Sequence, residues 1–228
     1  MSIASEITRL QNAKATIKAA IEAKGVTVGD ETLDEYADLI GQINTEDEKF
    51  QKILDRSIVN VKINTNVGLY TFYGCNALES VVFDNSNNNI TILGQACFQG
   101  CSALKNITIP TTVSYIGQAA FAGTGISTID LPNISTLESN VFANAKSLTH
   151  IEIPSTITSI KNQAFSGCNS LATVIVRPTT PPTLGSNAFY TTVSGRKIYV
   201  PAASVNNYKT ATNWSEYAND IEAIPTNS

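Results

Sequence analysis

The sequence predicts an α+β chain built on a solenoid of about six coils, with a helical head before it and a helical cap after it. Three observations lead to this fold class. A phenylalanine recurs every 21 to 26 residues, alternating apolar segments that end mostly in proline follow it, and helical apolar spacing appears at the N-terminal end. Because one coil cannot bury its own apolar face, repeats of this length stack and share a core.

The repeats align on the phenylalanine and share the template I-x-x-I/L-G-x-x-A-F-x-G-C-x-x-L-x-x-I-x-I-P. The aligned residues are Phe72, Phe98, Phe121, Phe142, Phe165 and Phe189. We expect the four central rings to form an aromatic ladder that is almost fully buried. The x-I-x-I-P segment alternates as a half-buried strand does, so stacked coils should place these strands in one parallel, concave sheet. The V/I-x-x-I segment before each phenylalanine should line the opposite wall.

The outward residues of the concave sheet are the predicted binding surface, because solenoids commonly bind partners through such a face. Parallel strands lie about 4.8 Å apart, so these side chains should form two columns. They are Asn106, Thr108, Thr128, Asp130, His150, Glu152, Thr173, Ile175, Lys197 and Tyr199. Few of them are large, so we expect a weak or multivalent contact that avidity strengthens.

The N-terminal head is predicted over residues 1–45, where apolar residues recur with helical spacing. The stripe on its first helix consists of Ile3, Ile7, Leu10, Ile17 and Ile21. This stripe is long for a solenoid cap, so we interpret it as an attachment or oligomerisation element, with a plain cap as the alternative. A short helical connector is expected over residues 46–57.

The solenoid should span residues 58–201 and be followed by a helical cap over residues 202–228. Pro201 can begin a helix because its missing N–H would have no partner in a first helical turn. Aromatic side chains of the cap should then cover the last coil. They are Tyr208, Trp214 and Tyr217.

The four cysteines suggest a packing role rather than a disulfide or metal site. Cys75, Cys101 and Cys168 each stand three residues after the repeat phenylalanine, where other coils have Thr124 and Ala145. A position that accepts cysteine, threonine or alanine is a small buried slot. We therefore expect buried free thiols. The sequence contains no C-x-x-C pair, the spacing that would indicate a metal site.

Composition and charge disfavour several functions. Only 15% of residues are charged, and residues 58–228 carry eight acidic and eight basic side chains without a basic stripe, so nucleic acid is not an expected partner. No run of 18 apolar residues predicts membrane insertion. The only histidine, His150, would lie on an open sheet, as would the carboxylates of Asp130 and Glu152. We predict no catalytic residue, metal or cofactor, and no enzyme.

Three segments resemble the BspA-type (Treponema-type) leucine-rich repeats. They are FQGCSALKNITIP, FSGCNSL and the ending from PPTLGSNAF to ANDIEAI. The resemblance covers roughly residues 58–224. Asp84 replaces the first proline, the third unit is one residue short after Phe121, and the insert RPTTPPT lengthens the fifth junction. The resemblance implies a leucine-rich-repeat solenoid and a bacterial cell-surface or secreted adhesin.

The first 43 residues look like the N-terminal segment of tail-associated proteins of phages and prophages from gut bacteria. That resemblance, together with an N-terminus unlike a secretory signal, implies a phage tail or tail-fibre protein located in the virion. Its head would attach to other tail proteins, and its solenoid would recognise a host-surface protein or glycan. We expect a homo-oligomer, a trimer if the protein is a fibre. The surface adhesin is the alternative.

Overall fold

The computed structural model describes residues 56–84, 86 and 88–226. The predicted head over residues 1–45 and all of the connector before Arg56 lie outside the described residues. The proposed oligomerisation stripe lies there too. It consists of Ile3, Ile7, Leu10, Ile17 and Ile21.

The described chain winds through about seven turns rather than six, and each turn places at least one aromatic side chain in the core. Successive phenylalanine rings from Phe72 to Phe189 stack with centroids 5.2–5.7 Å apart and planes within 14° of parallel. The four central rings have no exposed surface. The predicted aromatic ladder is therefore confirmed, and the last turn continues it with Trp214.

Eleven short strands and one α-helix make up the regular structure of the described residues. The strands are β1 Asn60–Ile63, β2 Ser80–Phe83, β3 Ile92–Leu93, β4 Tyr115–Ile116, β5 Thr136–Leu137, β6 His150–Ile153, β7 Ser159–Ile160, β8 Thr173–Val176, β9 Thr183–Leu184, β10 Lys197–Val200 and β11 Ile221–Ala223. Helix α1 is Val205–Thr210, between the 3-10 turns Ala202–Ser204 and Trp214–Tyr217. All the strand pairs are parallel.

The strands that follow each repeat phenylalanine do not form the single sheet that the sequence predicts. Strands β1 and β2 pair with each other, and β6, β8, β10 and β11 form a second sheet. The two coils between these sheets form no strand on this wall. Ile129 lies eight positions after Phe121, whereas the corresponding residues of the coils on either side lie nine positions after their phenylalanines. The shorter arc displaces this segment, and its backbone link, from Ser127 N to Lys105 O, is 3.4 Å long.

The opposite wall confirms the role predicted for the V/I-x-x-I segment. Its two-residue strands form the sheets β3-β4 and β5-β7-β9. One residue of each strand points into the core and is buried. These residues are Leu93, Ile116, Leu137, Ile160 and Leu184.

The turn around each repeat phenylalanine, which we call the phenylalanine turn, makes the backbone hydrogen bonds that link all of the first six coils. In the second coil, the N–H groups of Ala96, Phe98 and Gly100 donate to carbonyl oxygens of the third coil at 2.8–2.9 Å. The equivalent three donors recur at each of these junctions. Gly100 has φ +79°, a left-handed conformation that glycine adopts without strain, which explains the glycine of the F-x-G motif.

The C-terminal segment is a seventh coil, so the prediction of a helical cap is wrong. Helix α1 has six residues, and the chain then returns as β11, which pairs with β10. The interpretation failed because Pro201 and the residues after it are compatible with a helix, while this coil lacks the F-x-G-C motif that marks the other coils. None of the helices in the described part of the chain has the length and apolarity that a bilayer crossing requires.

The proline-rich insert before β9 provides the acceptors that hold this seventh coil. Trp214 Nε1 donates to the Pro182 carbonyl at 2.8 Å, and the Tyr208 hydroxyl donates to the Pro178 carbonyl at 2.7 Å. Both aromatic side chains are fully buried. Burial of Tyr and Trp requires a partner for their polar atoms, and the lengthened fifth junction supplies it.

Gly117 lies where coils two and three approach closely, and Gly117→Ala should lower the free energy of unfolding by about 1–3 kcal/mol. A Cβ there would stand 2.5 Å from Gln95 N and 2.7 Å from Gly94 C, which are backbone atoms. Urea denaturation measures the effect. The control is Gly68→Ala, whose Cβ would meet Thr71 Oγ1 at an ordinary 3.5 Å. Equal effects of the two substitutions would contradict the prediction.

Candidate binding surface on the strand face

The four-stranded sheet brings six of the predicted site residues together. One column contains His150, Thr173 and Lys197, which are directly paired across β6, β8 and β10. The second column contains Glu152, Ile175 and Tyr199, and Glu222 of β11 extends it by one position. We call these seven residues the strand face.

The side chains of the strand face alternate with residues that are completely buried, as the period of two predicts. Those of Thr173, Ile175, Lys197 and Tyr199 are half-buried because they pack on their neighbours in the next coil. His150, which was predicted to face solvent on this sheet, is half-buried as well. The face is thus accessible, yet its side chains are restrained by one another.

Two ion pairs order the charged side chains of this surface. Arg177 binds Glu152 in a bidentate pair through one edge of its guanidinium, with Nε–Oε1 at 2.8 Å and Nη2–Oε2 at 3.1 Å. Chiefly because of this hydrogen bond, the pKa of Glu152 lies below its usual value, and the nearby His150 lowers it further. Lys197 pairs with Glu222, whose hydrogen bond raises the pKa of the lysine. The carboxylates of the strand face are therefore already paired.

The other four predicted site residues lie apart from this sheet. Asn106, Thr108, Thr128 and Asp130 are all exposed, but they belong to the two coils that form no strand on this wall. They are accessible to a partner without being held in the register of the strand face. Their binding role stays a prediction.

All four cysteines are buried and form no disulfide bond, and Cys75, Cys101 and Cys168 occupy the predicted small slot. The Cys101 thiol donates to the Phe72 carbonyl at 3.1 Å, and the Cys168 thiol donates to the Phe142 carbonyl at 3.0 Å. Burial raises the pKa of both thiols to about 12. Among the described residues, no group of three or more His, Cys, Asp or Glu side chains could hold a metal ion.

The raised thiol pKa values predict a loss of stability at alkaline pH. An unfolded cysteine ionises near pH 8.5, so the unfolded state gains a charge that the folded state resists, and stability falls as pH rises from about 8.5 toward 12. Cys168→Ala, which copies Ala145 of the neighbouring coil, should make this fall shallower. Denaturant melts under reducing conditions at about pH 8 and pH 10.5 test it. An unchanged pH dependence in the variant would refute the mechanism.

Sequence reasoning missed Arg196, a buried cation with 5% exposure that joins the last two coils. Its Nη2 lies 2.6 Å from Asp220 Oδ2, and its guanidinium lies 5.1 Å from the Phe189 ring centre and 5.0 Å from that of Tyr217. The sequence did carry a signal for this role. Arg196, a long cationic residue, occupies the repeat position at which the previous coil has Ala172. Arg196 supports the seventh coil rather than the strand face.

Stacked coils with an aromatic ladder and short parallel strands define a leucine-rich-repeat solenoid. The family model described as the BspA type leucine rich repeat region matches in six copies, over residues 45–148 and 135–222. The chain belongs to this family. No curated protein matches the chain.

Two solved structures are similar to the chain. A leucine-rich repeat protein from Bacteroides ovatus is 20% identical, with a TM-score of 0.41 over 64% of this chain and 56% of that one. A leucine rich cell surface protein from Faecalibacterium prausnitzii is 19% identical, with a TM-score of 0.38 over 77% of this chain and 65% of that one. The chain thus spans less than two thirds of each of these proteins. None of these findings supports the phage-tail hypothesis, which depends on residues 1–43, outside the described part of the chain.

Proposed function

We propose that this chain is a non-enzymatic recognition module that acts at a bacterial cell surface and binds a macromolecular partner through the strand face. The observation that carries the proposal is the register of β6, β8, β10 and β11, which holds seven outward side chains in two ordered columns. Membership of the BspA-type family favours a surface location over the virion.

The chemistry of the strand face favours a partner over a substrate. Its carboxylates are committed to Arg177 and Lys197, so they lack the freedom that an acid–base pair needs. Tyr199 and Ile175 lie side by side and are the largest uncharged contacts that the face offers. The expected partner is a host-surface protein or glycan, bound weakly by one module and more tightly by several. Oligomerisation through residues 1–57 stays a prediction.

A paired substitution on the strand face tests this proposal. The double variant Tyr199→Ala, Ile175→Ala should lose at least about tenfold in affinity, because aromatic anchors near the centre of a contact dominate its energy. Labelled full-length protein would be titrated onto host cells, extracellular-matrix proteins and glycan arrays. The matched control is Tyr190→Ala, whose ring is 59% exposed on the phenylalanine turn. Equal binding by the double variant and the control would overturn the proposal.

A phage tail or tail-fibre role is the second candidate. The observation that favours it is the resemblance of residues 1–43 to tail-associated proteins. A tail protein should co-purify with phage particles and appear in their density map. Antibody labelling of intact bacterial cells, with none in purified particles, would reject this candidate and leave the surface module.

A further inference from the structure

The backbone hydrogen bonds between neighbouring coils are not equally complete along the solenoid. Between the fourth and fifth coils, β5 pairs with β7 on the opposite wall, β6 pairs with β8 on the wall of the strand face, and further bonds join the phenylalanine turns. Between the third and fourth coils, which meet at what we call the coil 3–4 junction, β4 and β5 do not pair, and the third coil has no strand beside β6. No other junction of the described coils lacks strand pairing on both walls.

The bonds that cross the coil 3–4 junction are grouped at the phenylalanine turn and the arc just after it. The N–H groups of Ala119, Phe121 and Gly123 donate to carbonyl oxygens of the fourth coil at 2.8–3.0 Å. Thr149 adds its N–H and its hydroxyl, which lie 3.0 and 3.3 Å from the Ser127 carbonyl oxygen. The two coils are thus joined along one side, and strand ladders do not tie their walls together.

The sequence explains the loss of pairing on the wall of the strand face, because the third coil lacks one residue before its strand segment. Ile126 follows Phe121 by five positions, whereas Leu104 of the second coil follows its phenylalanine by six. Gly125 fits the short arc because it has no side chain: a Cβ there would stand 2.3 Å from the Ser102 carbonyl oxygen. The short arc therefore lies against the second coil, and the segment after it does not pair with β6.

A second residue is missing where the fourth coil enters the opposite wall. Ile134 follows Pro132 by two positions, and its N–H donates to the proline carbonyl at 2.8 Å, whereas Ile157 follows Pro154 by three. In the longer arc of the fifth coil, the Thr156 hydroxyl donates to the Ile134 carbonyl of the preceding coil at 2.8 Å. The shortened fourth coil has no threonine at this point. Each wall of the coil 3–4 junction thus loses its pairing beside a one-residue deletion.

We propose that the coil 3–4 junction is a hinge, about which the first three coils and the last four coils bend relative to each other. Strand ladders fix the angle between neighbouring coils because hydrogen bonds are directional, whereas apolar contact is not. At this junction the stacked rings of Phe121 and Phe142, with centroids 5.7 Å apart, keep the core continuous. The phenylalanine turn is the axis of the hinge, because the remaining bonds lie there, and the two walls move.

The hinge separates the two groups of predicted binding residues. The strand face lies on the last four coils, whereas Asn106, Thr108, Thr128 and Asp130 lie on the second and third coils. Bending changes the distance between these groups, so a partner that contacts both would select one angle from those that the free protein samples. This consequence rests on the proposed function of the strand face, whereas the hinge itself does not.

Hydrogen exchange of the wild-type full chain tests the hinge without a partner. The three phenylalanine-turn amides that cross the junction should exchange at least about tenfold faster than their equivalents one coil later, because no strand ladder protects them from local opening. The equivalents are the amides of Asn140, Phe142 and Asn144. Nuclear magnetic resonance measures both sets in the same sample. Equal exchange rates for the two sets would overturn the proposal.

A variant that restores both missing residues gives a second readout. One serine is inserted after Thr124 and one threonine after Asn133, so that both arcs regain the length of their neighbours. Nitroxide labels on Glu79→Cys and Ala172→Cys, at exposed positions in the first and fifth coils, report the bending while the native thiols stay buried. Double electron–electron resonance should give a distance distribution at least about twofold broader in the wild-type background than in the insertion variant.

The outcomes separate the hinge from the proposed function. Distributions of equal width in the two backgrounds would overturn the hinge, provided that the insertion variant keeps the circular dichroism spectrum of the wild type. If the insertion variant does not fold, the exchange rates of the wild-type protein decide the question. Fast exchange at the junction, combined with no effect of the strand-face substitutions on binding, would support the hinge and reject the strand face as the binding surface.

Discussion

Replacing Phe142 by alanine should lower the free energy of unfolding by about 3–5 kcal/mol, the usual effect of emptying a packed aromatic site. The ring has no exposed surface and lies between those of Phe121 and Phe165, with centroids 5.7 and 5.5 Å away. The substitution removes apolar contact on both faces and leaves a cavity that two rigid neighbouring coils cannot fill. Urea denaturation monitored by circular dichroism measures the change.

Two further variants make this result interpretable. Tyr190→Ala removes an aromatic ring that is 59% exposed, so its effect should stay within about 0.5 kcal/mol. Phe72→Ala removes a ring that stacks on a phenylalanine from one side, so its effect should be smaller than that of Phe142→Ala. A loss below about 1 kcal/mol for Phe142→Ala would mean that the ladder does not organise the core.

The sequence could predict the features that depend on a fixed number of residues from each phenylalanine. The buried rings, the alternation of Ile151 and Glu152 on β6, and the cysteine slot all lie within about ten residues of that anchor. The phenylalanine turn keeps its hydrogen bonds from coil to coil, so the same offset leads to the same environment in successive repeats. Such local periodicity remains recognisable in the amino-acid sequence even where single residues vary.

The interruption of the sheet could not be predicted in this way. It depends on whether neighbouring coils have the same number of residues between the phenylalanine and the strand. The coil of Phe121 lacks one residue before Ile129, and only the stacked structure shows that the strand pairing is lost there. The strand face is accordingly shorter than predicted. Six of the ten predicted site residues share one sheet, and Glu222, read as part of a cap, completes it.

The seventh coil escaped prediction for a different reason, because it lacks the F-x-G-C motif that marks the other coils. Its support comes from Asp220 on the buried Arg196 and from the carbonyl groups of Pro178 and Pro182.

These long-range contacts lead to the second large prediction: Trp214→Ala should lower the free energy of unfolding of the last coil by about 3–5 kcal/mol. Trp214 has no exposed surface, and its ring centre lies 6.2 Å from that of Phe189 and 5.0 Å from that of Tyr208. Alanine would empty this space and leave the Pro182 carbonyl without its indole donor. Trp214→Phe, which retains a ring but not the donor, should lose less.

The strands that lose hydrogen-exchange protection distinguish a true seventh coil from an accessory cap. Because stability in a solenoid passes between neighbouring repeats, Trp214→Ala should abolish hydrogen-exchange protection in β11 and reduce it in β10, while the amides of β3 and β4 stay protected. Phe142→Ala, at the centre, should weaken protection in both directions along the stack. If Trp214→Ala left the β11 amides as protected as in the wild type, β11 would not depend on the indole. The seventh coil would then be held by the Arg196–Asp220 pair instead.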